Sequence, residues 1–108
     1  MEKTLSDSEK RALNWLSIQT DSLNLVGKLP DFYDCESKTF YEIKMCRNSP
    51  IRGDYIIFPE KQYVEFKKIN PVMIIMEKNR TDPKTVCLLS ELGKSYVIYS
   101  DEGKKLPE

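Results

Sequence analysis

The stretch that decides the fold runs Pro30-Asp31-Phe32-Tyr33-Asp34-Cys35-Glu36-Ser37-Lys38-Thr39-Phe40-Tyr41-Glu42-Ile43-Lys44-Met45-Cys46. Residues 31–35 and 39–46 are rich in aromatic and β-branched residues, and the polar Glu36-Ser37-Lys38 separates them. That pattern predicts a β-hairpin, although no Asn-Gly or Asp-Gly fixes its turn. A turn centred between Glu36 and Ser37 sets Asp34 opposite Thr39, Tyr33 opposite Phe40 and Asp31 opposite Glu42. A loop of two residues or of four gives the same pairing. Strand alternation puts Glu42 and Lys44 on one face, their Cα atoms roughly 6.6 Å apart, with Ile43 on the other. Asp31 and Glu42 become cross-strand neighbours with Cβ atoms about 4.5–5.5 Å apart.

Two opposed carboxylates repel, at a cost of some tenths of a kcal/mol to about 1 kcal/mol. A strand pattern that is otherwise consistent and keeps this conflict points to a functional site. A divalent cation between the two turns repulsion into shared coordination. Lys44, one step along the same face, is then placed to contact a phosphate or an attacking water. The plain alternative is a half-exposed hairpin on which Lys44 neutralises Glu42.

Working outward, residues 6–19 read as an amphipathic helix with Leu5, Ala12, Leu13 and Leu16 on one stripe. Ser6 and Glu9 match a capping box at its start. Residues 20–24 read as loop, and 25–29 lead into the first strong strand. Residues 47–58, with Asn48, Ser49, Pro50 and Gly53, read as a long loop with some order near 55–58. Pro59 is expected as a first-turn proline of a second helix that ends before Asn70-Pro71. The apolar run Val72–Met76 suits a strand covered on both faces. Residues 79–84 form a turn, 85–89 and 95–99 two further strands joined near Gly93, and 101–108 a frayed tail. The expected class is α/β or α+β: a mixed central sheet flanked by helices, in the order α-β-β-β-α-β, with two extra C-terminal strands.

At 108 residues the chain has room for one domain spanning 1–108. Its longest aliphatic run falls far short of the ~20 residues of a membrane span, and Met1–Leu5 lacks the features of a secretory signal. Three widely spaced cysteines, Cys35, Cys46 and Cys87, suit reduced thiols better than disulfides or zinc. An intracellular, cytoplasmic protein is expected. Net charge is zero, from 17 basic and 17 acidic side chains, which argues against a passive DNA-coating role. The absence of histidine removes nucleases with a histidine base and most imidazole-ligated zinc hydrolases. Hydrolysis here must run on carboxylates, lysine and an oxygen-loving metal.

Pro30-Asp31 followed by Glu42-Ile43-Lys44 resembles the PD-(D/E)XK nuclease superfamily, whose pattern is Pro-Asp, a spacer, then Glu-x-Lys. The resemblance covers roughly residues 5–76. Within the superfamily the chain looks most like the small archaeal Holliday junction resolvases and the virus-type replication-repair nucleases. It implies a restriction-endonuclease-like core and a Mg²⁺-dependent endonuclease acting on DNA, possible targets including branched or junction DNA, with Mn²⁺ able to substitute. It further implies Asp31 and Glu42 as metal ligands, the Ile43 carbonyl as another, and Lys44 as the residue that positions or activates water. Some members carry a metal-binding glutamate in the first helix, where Glu9 stands; the capping box is its competing role. Gln62 resembles a glutamine that several relatives carry near the scissile phosphate. A homodimer is expected by analogy with similar small enzymes, which place two sites on two strands.

Lys28, Arg47 and Arg52 flank the strand and loop around the site and are candidate nucleic-acid contacts. Trp15 and Tyr55 could stack on bases, with core packing the competing role for Trp15. The chain departs from junction resolvases in lacking an evident basic stretch, and its cysteines do not form a four-ligand iron–sulfur pattern. Two other readings stand beside the nuclease. One is a non-catalytic nucleic-acid or protein binding module that keeps the fold. The other is a small α/β interaction protein with coincidental charges, which would place Asp31 and Glu42 on opposite faces of the sheet.

Overall fold

In a computed structural model, residues 6–19, 23–25, 31–51, 53–92 and 97–99 are described. The hairpin that carries Asp31, Glu42 and Lys44 supplies the central strand of the larger sheet. Its strands are β2 (Phe32–Asp34) and β3 (Thr39–Met45), paired Phe32↔Tyr41, Tyr33↔Phe40 and Asp34↔Thr39. This is the register read from the turn centre. The turn needs no Asn-Gly because Asp34 organises it: its carboxylate accepts from the Glu36 N–H at 3.0 Å and the Ser37 hydroxyl at 2.9 Å. Lys38 takes the left-handed conformation that closes the loop, with φ 56°.

Helix α1 (Asp7–Gln19) opens with a reciprocal capping box. The Ser6 N–H donates to Glu9 Oε1 at 3.0 Å, and the Glu9 N–H donates to Ser6 Oγ at 3.2 Å. Its Ala12 and Leu16 pack with Phe32, Ile43, Ile74 and Met76 on one face of the sheet, and Trp15 is partly buried against the same cluster. Leu5, expected on this stripe, lies outside the described residues. Helix α2 (Glu60–Ile69) covers the other face, where Phe66 joins Ile56, Phe58, Met73, Ile75, Leu89 and Leu92.

The strand β6 (Val72–Met76) runs parallel to β3, with Glu42↔Met73, Ile43↔Ile74 and Lys44↔Ile75 in register. Its apolar run is unbroken because alternate residues feed two cores: Ile74 and Met76 face α1, while Met73 and Ile75 face α2. With β1 (Leu23–Leu25) and β7 (Thr85–Leu88), the strands form a mixed five-stranded sheet in the order β1-β2-β3-β6-β7. The fold is α+β, a mixed sheet flanked by helices.

Several local expectations need correction. Residues 23–24, read as loop, belong to β1, because pairing with β2 outweighs the polar local sequence. Residues 47–58 are not one long loop. They form a hairpin of β4 (Arg47–Ser49) and β5 (Gly53–Ile57), in which Asn48 Nδ2 donates to Asp54 Oδ1 across the pair at 2.8 Å. Gly53, at φ 75°, supplies the turn conformation that other residues resist. Five strands, not three, therefore precede α2. Pro59 sits at the N-cap of α2 rather than inside its first turn. Asn70 ends that helix in the left-handed conformation, its N–H bonded to the Phe66 carbonyl at 2.8 Å.

Leu89 leaves β7 and opens the short helix α3 (Leu89–Leu92), because Leu89 and Leu92, three apart, both drop into the α2-side core. The last strand, β8 (Val97–Tyr99), does not extend the large sheet. It pairs with β5 in a second sheet ordered β4-β5-β8. Gly93 and 101–108, expected as a connection and a tail, lie outside the described residues. The cysteines are free thiols, and among the described residues no helix is long and apolar enough to cross a membrane.

Candidate active site

Packing decides which way each side chain of the motif points. Phe32 and Ile43 belong to the α1-side core, so alternation sends Asp31, Glu42 and Lys44 to the α2 side. Continuing the hairpin register by one position places Asp31 across from Glu42. The contacts agree: the Asp31 N–H donates to Glu42 Oε1 at 3.3 Å, and the Ile43 N–H donates to Asp31 Oδ2 at 3.0 Å. Both carboxylates are buried, Asp31 at 8 % and Glu42 at 3 % exposure. The arrangement expected of coincidental charges, with the two on opposite faces, is not the one adopted.

Burial pushes the Glu42 carboxyl up to about 8, and the neighbouring Asp31 charge pushes in the same direction; Lys44 opposes both. A proton on Glu42 relieves the repulsion. A cation would relieve it more completely.

Lys44 is held from three sides. Its Nζ lies 3.2 Å from Glu42 Oε2, donates to Gln62 Oε1, and sits 4.6 Å from the centre of the Phe58 ring. Phe58 is fully buried just before α2, and Gln62 lies in the first turns of that helix. The glutamine singled out from the sequence thus reaches the motif lysine directly. Phe58 is the contributor that sequence reading missed. Its signal was its place beside Pro59, which anchors the helix start against the strand carrying Lys44.

Other candidates are not gathered here. Glu9 closes the capping box of α1, on the helix that covers the opposite face of the sheet. Among the described residues no group of three or more His, Cys, Asp or Glu side chains is placed to hold a metal, so Glu9 does not complete a trio with Asp31 and Glu42. Arg47 is exposed on β4, just past the strand that carries Lys44. Lys28 and Arg52 lie outside the described residues. Trp15 packs against the α1-side core, the role that competed with base stacking.

No family model, curated protein or solved structure matches this chain. The case for function rests on the residues themselves.

The donor set can be tested against a metal on chemical grounds. It offers two carboxylates held face to face with hard oxygen atoms. Ile43 adds a carbonyl that leaves the strand on the same edge as its N–H, which points at Asp31. Mg²⁺ commonly binds through one or two carboxylates and keeps several waters, leaving positions for phosphate oxygens. The set fits such an ion, and nothing in it favours a soft metal.

Proposed function

We propose that this chain is a divalent-metal-dependent nuclease that hydrolyses phosphodiester bonds in DNA, on a restriction-endonuclease-like PD-(D/E)XK core. The observation that carries the reading is the meeting of four polar side chains on one face. Asp31 beside β2, Glu42 and Lys44 on β3, and Gln62 on α2 converge at a place where both carboxylates are buried at a cost and the lysine and glutamine are partly buried against them.

Asp31, Glu42 and the Ile43 carbonyl would hold Mg²⁺ or Mn²⁺. Such an ion, when bound, lowers the pKa of a water and stabilises charge on the phosphate. The protein's own residues do the rest. Asp31 is fixed by the Ile43 N–H, so its carboxylate is oriented before any ligand arrives. Glu42 is steered by the Asp31 N–H on one oxygen and by Lys44 on the other. Lys44 is held against the Phe58 ring and Gln62, where it can orient a water or neutralise a phosphate oxygen. Gln62 sets the direction of the ammonium and offers an amide donor of its own to substrate.

The test is incubation with branched, duplex and single-stranded DNA, with Mg²⁺ or Mn²⁺ and with EDTA. Metal-dependent cleavage that disappears in Asp31→Ala and Glu42→Ala is the expected result. Cleavage that survives either substitution would overturn the assigned site.

A further inference from the structure

The face that carries the carboxylates continues toward the hairpin turn, and its next residues are aromatic. Tyr33 lies two residues after Asp31, and Phe40 two before Glu42, so both leave the sheet on the site side. They are directly paired across the hairpin, with ring centres 4.7 Å apart at 48°. Both are only partly buried. Neither belongs to the hydrophobic cluster on either side of the sheet. The Phe58–Phe66 pair makes the contrast, since both of those rings are fully buried in the α2-side core.

We propose that Tyr33 and Phe40 form a stacking platform for the base of an unpaired nucleotide beside the phosphodiester held at Asp31, Glu42 and Lys44. The proposal rests on the nuclease reading above and names its substrate class: single strands, or the unpaired positions of branched DNA. The rings lie about 6.6 Å along the strands from the carboxylates, within reach of a base attached to the bound phosphate. Stacking one base on an aromatic ring is worth roughly ten- to a hundredfold in affinity. Extracting a base from continuous duplex to reach the rings costs a comparable factor. The two effects cancel for duplex, whereas an unpaired base keeps the whole gain.

The competing role is structural, since cross-strand aromatic pairs also stabilise hairpins. The experiment must separate the two. The probe is a single-stranded DNA of about twelve nucleotides carrying 2-aminopurine, whose fluorescence falls on stacking. It is titrated with the full chain in Ca²⁺, alone and annealed to its complement. We expect quenching with the single strand, binding about tenfold weaker to Tyr33→Ala/Phe40→Ala and to Phe40→Leu, and retention in Phe40→Trp. Phe40→Leu and Phe40→Trp keep apolar bulk, and melting temperatures matching the wild type identify variants that remain folded. Duplex binding should be weaker and insensitive to all three changes.

Absence of single-strand binding, absence of quenching, or equal affinity in folded Phe40→Leu would overturn the platform. Cleavage of the unlabelled substrates in Mg²⁺ is read separately. Quenching without any cleavage would refute the nuclease reading and leave a single-strand binding surface. Cleavage indifferent to Phe40→Leu would refute the platform and leave the nuclease.

Discussion

Lys44 Nζ lies 3.2 Å from Glu42 Oε2, two residues away on the same strand, and both side chains are largely removed from solvent. The pair is held by position rather than by flexible reach, because strand alternation puts both on one face and Phe58 lies under the ammonium. Lys44→Met keeps the apolar stem over Phe58 and deletes the charge. Metal-dependent cleavage should fall by at least about a hundredfold. The metal-free fold should survive, since Glu42, already raised to about 8, can take up a proton when its partner is removed. Single-turnover rates and melting curves check both parts; a rate within a few fold of wild type would remove Lys44 from the mechanism.

The raised carboxyl of Glu42 makes a prediction about pH. A carboxyl that titrates near 4.5 in the unfolded chain and near 8 in the folded one binds more protons when folded across that interval. Metal-free stability should therefore decline as pH rises from about 4.5 to 8, by an amount on the order of a few kcal/mol at most, and level off above. Mg²⁺ or Mn²⁺ should flatten the decline, because an ion takes over the role of the proton. Thermal melts from pH 5 to 9 in EDTA and in Mn²⁺ show this directly. Melting temperatures in EDTA that climb with pH over this range would contradict the assignment, whereas Glu42→Gln should remove most of the dependence.

Asp31→Asn offers the complementary case. The amide oxygen can still accept from the Ile43 N–H, now at 3.0 Å to Oδ2, and the amide nitrogen can donate to Glu42. The substitution removes the Asp31 charge, which adds to burial in lifting Glu42. Without metal, the variant should be more stable than wild type by about 1 kcal/mol. It should bind Mn²⁺ at least about tenfold more weakly and lose cleavage. Calorimetric titration and denaturant melts test the two halves; a destabilised Asp31→Asn would mean the carboxylate pair is structural.

The sequence revealed most where one local rule met one clear partner. Turn centre and strand alternation were enough to face Asp31 with Glu42, and the unbroken Val72–Met76 run was enough to mark a strand between two layers. What stayed hidden depended on distant pairing. Residues 23–25 are a strand because β2 is beside them, and Arg47–Ser49 pairs with Gly53–Ile57 despite turn-forming residues. Val97–Tyr99 joins β5 rather than β7, a choice no local propensity encodes. Gln62 was visible through resemblance and through its helix position one turn before Phe66; its contact with Lys44 depends on how Phe58 and Phe66 seat α2 against the sheet.

Glu9 is the residue for which two roles can be separated by experiment. Its carboxylate accepts from the Ser6 N–H at 3.0 Å in a reciprocal capping box, and it does not form a three-ligand group with Asp31 and Glu42. Glu9→Gln can keep the capping bond, since a side-chain amide oxygen also accepts there. We therefore expect Glu9→Gln to leave stability, Mn²⁺ affinity and cleavage close to wild type. Glu9→Ala should cost about 1 kcal/mol of stability through the lost cap and leave metal affinity unchanged. A metal ligand would give the opposite signature: Glu9→Gln would stay stable but lose Mn²⁺ affinity by tenfold or more. Titrating both variants with Mn²⁺, beside Ser6→Ala as a cap-only control, decides between helix capping and a third metal ligand from α1.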